Sequence, residues 1–404
     1  MRTSTPWGYL EWGAASHRCY AGSVPQNQLS IAPITSTEHS SFLNARKGVS
    51  FLQRPEWAKV KGGWAPESIG WYDGDEIVGV ALVLHRAAPV IGRTLAYLPD
   101  GPVIDWADYS MDAVLDPMVK HFRSKKVFLV RMGPGLMRNT WAANDVRRAL
   151  SGGTNSLMPE LPVSRHGEAA EALAAELAAA GWTKQEVSED FAAGQPEFVA
   201  RIPLVDANGG ALDIDGVLAQ FAQTARSETR KGARGPLEIQ LGTAADMDRF
   251  HTLYKETADR NEFSGRPSSY FTTMFTELNA AVPGSCTLYF ASYEGQDLAS
   301  AIRVRSGNLA WYVYGASSSA ERKLFAPKAL VHRMITDSLA EGCIYLDQGG
   351  VSATLDKAHH LSGLTHFKTS MGCDIVQTLG EWDLPLNKPL AWGFNKYMEM
   401  RDRH

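Results

Sequence analysis

Twice along this chain an apolar, roughly alternating run enters a short acidic turn carrying a glycine and leaves it as a second such run; each time a third strand, a helix and another strand follow. In the first instance Ile69, Trp71 and Tyr72 lead into Asp73-Gly74-Asp75-Glu76, and Ile77, Val78, Val80, Leu82 and Leu84 follow. An Asp-Gly pair flanked by alternating apolar residues is a strong hairpin signal, because glycine takes the positive φ that closes a tight turn. A strand over 94–98, a helix over 111–122 and a buried strand over 126–132 complete the set. In the second instance strands over 287–293, 299–304 and 311–314, joined first by Glu294-Gly295-Gln296-Asp297, precede a helix over 327–340 and a strand over 344–347. Two meanders that each return through a helix predict an α+β fold of two tandem domains with a cleft between them, a common place for a ligand.

Between these sets lies a helix over 168–180 that ends at Gly181, then a strand over 198–204, a helix over 215–231, a strand over 237–241 and helices over 244–258 and 268–279. The boundaries this order implies are an N-terminal extension over 1–40, a first domain over 41–197, a second over 198–375, and a C-terminal segment over 376–404 that packs back on the first. At 404 residues and 44% hydrophobic content the chain can fill two cores. Its four cysteines are scattered, with no pair at metal-ligand spacing, which fits a reduced compartment. Trp7, Tyr9 and Trp12 sit in an opening stretch without the apolar run of a signal peptide or membrane span, so a cytoplasmic location is expected. A net charge of −4 leaves nucleic-acid contact to local basic patches.

Six segments carry a family resemblance in order. They are Phe51-Leu52-Gln53 with Trp57, Val60 and Lys61; Tyr97-Leu98-Pro99-Asp100-Gly101-Pro102 with Asp105; and Thr257-Ala258-Asp259-Arg260 with Phe263, Arg266, Tyr270 and Phe271. Then come Trp311-Tyr312-Val313-Tyr314-Gly315; Gly363-Leu364-Thr365-His366-Phe367-Lys368; and Gly380-Glu381-Trp382-Asp383. Together they resemble the FemABX peptidyltransferases over about residues 51–396. The element order is that of acyltransferase-like (GNAT-like) domains. The resemblance implies amide-bond formation from aminoacyl-tRNA onto an amine of a peptidoglycan precursor, lipid-linked or nucleotide-linked. No long heptad stretch separates the helices of the second unit, so the helical arm of some family members is expected to be absent; by analogy the armless form is a monomer, with peripheral contact at the membrane face where the acceptor is lipid-linked.

Such a site needs no metal or cofactor, since the donor ester is already activated; it must hold two large substrates and stabilise an oxyanion. Lys368 matches the lysine at the family's reacting centre, where its cation either neutralises the oxyanion or steadies the terminal ribose. Phe367 either stacks on the terminal adenine or packs in the core. Lys61, Arg266 and Tyr270 match positions that contact an acceptor diphosphate, for which a forked guanidinium is suited. Tyr312 and Tyr314 alternate on a strand and so present two phenols to one face. Asp105 follows the Gly-Pro loop as a general base, an orienting group or a cap. Arg226, Arg230, Lys231 and Arg234 form a basic helical cluster suited to tRNA phosphates.

This cluster lies in Ala225-Arg226-Ser227-Glu228-Thr229-Arg230-Lys231-Gly232-Ala233-Arg234, which lacks the tryptophan and isoleucine of wall-building relatives. That departure keeps a small amine of antibiotic biosynthesis open as the acceptor. A CoA-dependent N-acetyltransferase is disfavoured, because Arg322-Lys323-Leu324-Phe325-Ala326-Pro327 supplies no glycine turn before the helix that would meet a pyrophosphate. A non-catalytic tRNA-binding protein is the remaining reading. His359, His360 and His366 are flanked by Lys357 and Lys368 and have no carboxylate or cysteine at metal-ligand spacing apart from Asp356.

Overall fold

The computed structural model describes residues 28–88, 92–153, 155–185 and 194–401, so Trp7, Tyr9 and Trp12 lie outside the described residues. The described chain forms two compact units. The first unit takes 28–140, 165–197 and the stretch from Gln377 onward; the second takes Trp141–Ser164 and Phe198–Val376.

The first stretch runs β1 (Ser30–Pro33), α1 (Ser36–Asn44), α2 (Trp57–Val60), β2 (Ala65–Asp73), β3 (Glu76–Ala87), β4 (Thr94–Leu98), β5 (Val103–Ile104), α3 (Met111–Ser124) and β6 (Val127–Met132). Then follow β7 (Met137–Trp141), α4 (Ala143–Gly152), β8 (Arg165–His166), α5 (Glu168–Ala179) and β9 (Thr183–Lys184). The rest comprises β10 (Phe198–Pro203), α6 (Ile214–Ala219), α7 (Gln223–Arg234), β11 (Glu238–Gly242), α8 (Met247–Arg260), α9 (Ser268–Ala281), β12 (Cys286–Tyr293), β13 (Gln296–Ser306) and β14 (Leu309–Ser317). It closes with α10 (Ala326–Ala340), β15 (Tyr345–Gly350), α11 (Ser362–Ser370), β16 (Asp374–Thr378), β17 (Trp382–Pro385) and α12 (Lys388–Arg401).

The same plan appears in both units. In the first, β2, β3 and β4 are antiparallel neighbours, and α3 carries the chain across to β6, which lies parallel to β4. In the second, β12, β13 and β14 form the meander and α10 crosses to β15, parallel to β14. The first sheet is ordered β1-β2-β3-β4-β6-β17-β9, while the second runs β11-β12-β13-β14-β15-β10-β16. The α+β tandem is therefore as the sequence predicts.

Each crossover helix is held by an apolar stripe. On α3, Val114, Leu115, Met118 and Phe122 are buried at helical spacing, and Ser110 caps the first turn by accepting from the Ala113 amide. Trp71, fully buried on β2, donates from its indole N–H to the Val114 carbonyl at 2.8 Å, tying hairpin to helix. On α10, Ala326, Leu330, Met334 and Ile335 belong to the same core as Tyr289, Ala291, Ala299 and Ala301 of the meander.

The helix predicted over 215–231 is instead two, α6 and α7. Between them Phe221 is buried in the core, and the Ala222 amide donates to the Ser370 carbonyl at 2.8 Å. A bond to a distant strand-proximal helix replaces an intrahelical one there, and no proline or glycine at the break announces it.

Candidate functional site

In the first unit, two of the six segments build one loop. Gln53 is fully buried; its amide donates to the Pro99 carbonyl at 2.5 Å and accepts from the Leu82 amide at 2.9 Å. Ser50 donates to Asp100 at 2.6 Å. Gly101 is required where it stands, since a Cβ there would lie 2.6 Å from the Gln53 amide. Replacing Gln53 with alanine strands two buried backbone groups and should cost about 2–4 kcal/mol, read as a lower urea midpoint at unchanged slope.

Tyr97, on β4 just ahead of this loop, donates from its hydroxyl to Glu381 at 2.5 Å. Burial pushes the Glu381 carboxyl above its ordinary range, and Tyr97 rises for the same reason. Arg131 forks onto Asp383 at 2.7 and 2.9 Å. The Gly-Glu-Trp-Asp segment thus contributes two buried acids to this unit, for which the sequence offered a motif but no partner. Asp105, half-buried, accepts from the Ala107 amide at 3.1 Å and so closes a turn. Lys61 ends α2, with its ammonium 5.5 Å from the Trp57 ring centroid.

In the second unit, Lys368 lies in the last turn of α11 and donates to the Gly350 carbonyl at 2.7 Å. Gly350 ends β15, where Gly349 takes φ 78° and gives its amide to Asp347 at 2.7 Å. Asp347 is itself buried and bound by Arg201 at 2.9 Å. Loss of water pushes the Lys368 ammonium down to about 8, with Cys373 and Asp347 opposing. Among the described residues no carboxylate forms an ion pair with Lys368. Gln348 Nε2 on β15 and Thr365 Oγ1 on α11 are buried without a hydrogen-bond partner, polar groups left for something else to satisfy.

Arg266, Tyr270 and Tyr314 come together. Tyr314 donates to Tyr270 at 3.3 Å, and the Arg266 guanidinium lies 4.9 Å from the Tyr270 ring centroid, just ahead of α9. Burial first, and then Tyr314, push the Tyr270 phenol well up. Arg266 has no carboxylate ion pair among the described residues; its charge is met by tyrosines. Thr257 and Arg260 fasten the far end of β14, accepting from the Ser317 amide at 2.9 Å and donating to its carbonyl at 2.8 Å.

Tyr312 does not join them. Its partner on β13 is Arg303 and that of Tyr314 is Ile302, so Val313 is a bulge. The extra residue turns two positions of one strand to opposite faces. Tyr312 packs against the α10 core, with its hydroxyl close over Gly315, while Tyr314 faces Tyr254 and Phe271. The expectation of two phenols on one face is thereby corrected.

Arg226, Arg230, Lys231 and Arg234 do share a face, lining with Gln223 and Ser227 a surface pocket of about 500 Å³. Arg230 is paired with Asp215 at 2.7 Å; among the described residues the other three have no ion pair. Phe367 is 43% exposed, which excludes core packing and leaves its ring available to stack. The turn before α10 is closed on itself: the amides of Leu324, Phe325, Lys328 and Ala329 donate to carbonyls within residues 321–325. Gly232 of α7 covers it, for a Cβ there would be 2.9 Å from the Phe325 carbonyl. That turn offers no free cluster of amides for a pyrophosphate.

A family model described as FemAB family matches residues 34–282 and 287–399. The lipid II:glycine glycyltransferase of Staphylococcus aureus strain MRSA252 is 23% identical, with 88% of this chain and 93% of that protein aligned. Its counterpart from strain USA300 is 22% identical over the same shares. Among solved structures, a crystal structure of FemX superposes with a TM-score of 0.73 at 20% identity, covering 89% of this chain and 98% of that one.

Proposed function

This chain belongs to the FemAB family, and from that premise we propose that it transfers the aminoacyl group of a charged tRNA to a primary amine of a peptidoglycan precursor. The observation that carries this reading is the dry ammonium of Lys368, held by a backbone carbonyl rather than a carboxylate. Acyl transfer from an ester builds negative charge on the carbonyl oxygen, and a desolvated cation stabilises that charge far more than a hydrated one does. The ester is already activated, so no covalent enzyme intermediate is required.

In this reading Arg266, Tyr270 and Tyr314 of the second unit hold the acceptor diphosphate, and Tyr312 shapes the strand behind them. Phe367 and the four cations of α7 hold the tRNA. Asp105 orients its loop: an asparagine there can accept the same Ala107 hydrogen bond, so Asp105→Asn should keep turnover within about threefold, whereas loss of a general base costs about 10²–10⁴-fold. A tRNA donor places the reaction in the cytoplasm, and a lipid-linked acceptor would bring a monomer to the membrane face.

The test is transfer of label from tRNAs each charged with one amino acid to lipid-linked, nucleotide-linked and small-amine acceptors, with acetyl-CoA in parallel. The expected product is an amide that vanishes when the donor is pretreated with ribonuclease. Product from acetyl-CoA alone would overturn the reading.

A further inference from the structure

The cations of α7 are not the only basic surface beside α11. On α4, Asn144, Arg147, Arg148 and Ser151 recur at three- and four-residue spacing and so share one face. With His366 of α11 they line a second surface pocket of about 540 Å³. Arg147 is half-buried; it donates to the Thr369 carbonyl and to Asn144, and among the described residues it has no carboxylate partner. Burial without a counter-charge pulls its guanidinium down from its ordinary value, a cost that a bound anion would relieve. Arg148 is exposed and pairs with Asp145, and Lys357 adds an ammonium by donating to the Ser151 carbonyl at 2.7 Å.

The helix that lines each pocket is tied to the same end of α11. Arg147 grips the last turn of α11 at Thr369, and the first residue ahead of α7 bonds the next carbonyl, Ser370, at 2.8 Å. Just ahead of these carbonyls α11 carries exposed Phe367 and the partly buried Lys368. Two basic pockets on elements tied to the helix that carries an exposed aromatic ring match a ligand whose charges repeat along a strand and whose bases stack, which is a nucleic-acid backbone.

We propose that the α4–α11 pocket binds backbone phosphates of the donor RNA, as a second phosphate site besides the α7 cluster. This rests on the tRNA-donor reading above and deepens it. The phosphates bound lie beyond the terminal nucleotides, because the pocket is built from residues flanking Phe367 and Lys368 and not from those residues themselves.

The experiment compares wild type, Arg147→Gln/Arg148→Gln and the single exposed Arg148→Gln with two donors: full-length charged tRNA and an aminoacylated dinucleotide. Filter binding of the same tRNA is measured against KCl concentration. We expect KM for charged tRNA to rise about threefold in Arg148→Gln, with kcat and the dinucleotide KM unchanged, and about tenfold in the double variant. The slope of log affinity against log salt should fall by about 1–2. Unchanged tRNA binding in folded variants would overturn the pocket's role, as would equal loss with both donors, or loss of binding to anionic lipid vesicles with tRNA binding intact. The binding arm needs no turnover: if wild type forms no amide yet its tRNA affinity drops in the variants, the activity reading fails and the pocket stands.

Discussion

Lys368→Met is expected to lower kcat by about 10²–10³-fold while KM for acceptor and for charged tRNA each move by less than about threefold. The asymmetry follows from where the charge acts. In the ground state the ammonium is satisfied by the Gly350 carbonyl, so it has little to add to binding; only as the carbonyl oxygen of the ester gains charge does the cation gain a stronger partner. A pH profile separates this from a structural role. Burial holds the ammonium at about 8, so it is charged below that pH and loses its proton as pH rises through it. The acceptor amine must itself be neutral to attack, which favours higher pH. The opposing requirements give a bell whose alkaline limb belongs to Lys368. Lys368→Arg, charged throughout, should retain part of the rate and lose the alkaline limb. Equal losses in kcat and acceptor binding, or an alkaline limb that survives in the arginine variant, would remove Lys368 from the chemistry.

What the sequence discloses of this molecule is what depends on near neighbours. Both meanders could be read because an acidic glycine turn and the alternation around it act over a dozen residues, and β4 falls on the predicted 94–98. The crossover helices could be read because their apolar stripes repeat within one element. Features decided across the fold were hidden. The break between α6 and α7 is made by a carbonyl about 150 residues away, at Ser370. Val313 carries no mark of a bulge, so simple alternation put Tyr312 on the wrong face. Glu381 stood in a recognisable segment, yet its partner Tyr97 is 284 residues distant, and nothing local distinguishes a buried acid from a surface one. For Lys368 the family segment supplied the residue, whereas its desolvation depends on β15, on Gly350 and on the distant packing that dries the ammonium.

Arg266→Ala should raise the acceptor KM by about 10–100-fold with kcat nearly unchanged, the range that losing one or two charged hydrogen bonds to phosphate implies. The effect should be confined to acceptors that carry the diphosphate; a peptide with the same amine but no diphosphate should bind wild type and variant alike. That comparison matters because Arg266 also stacks on Tyr270, and its removal can loosen the ring. A loosened ring would weaken both acceptors, so equal losses would reassign Arg266 to packing. Tyr270→Phe tests the ring separately: it keeps the stack and removes the hydroxyl that accepts from Tyr314, and should cost about three- to tenfold. Arg266→Lys should recover only part of the loss, because an ammonium offers a point charge where the guanidinium offers a planar fork. The order expected for acceptor KM is therefore wild type, Tyr270→Phe, Arg266→Lys, Arg266→Ala, from lowest to highest, and it should collapse to a single value when the diphosphate is absent.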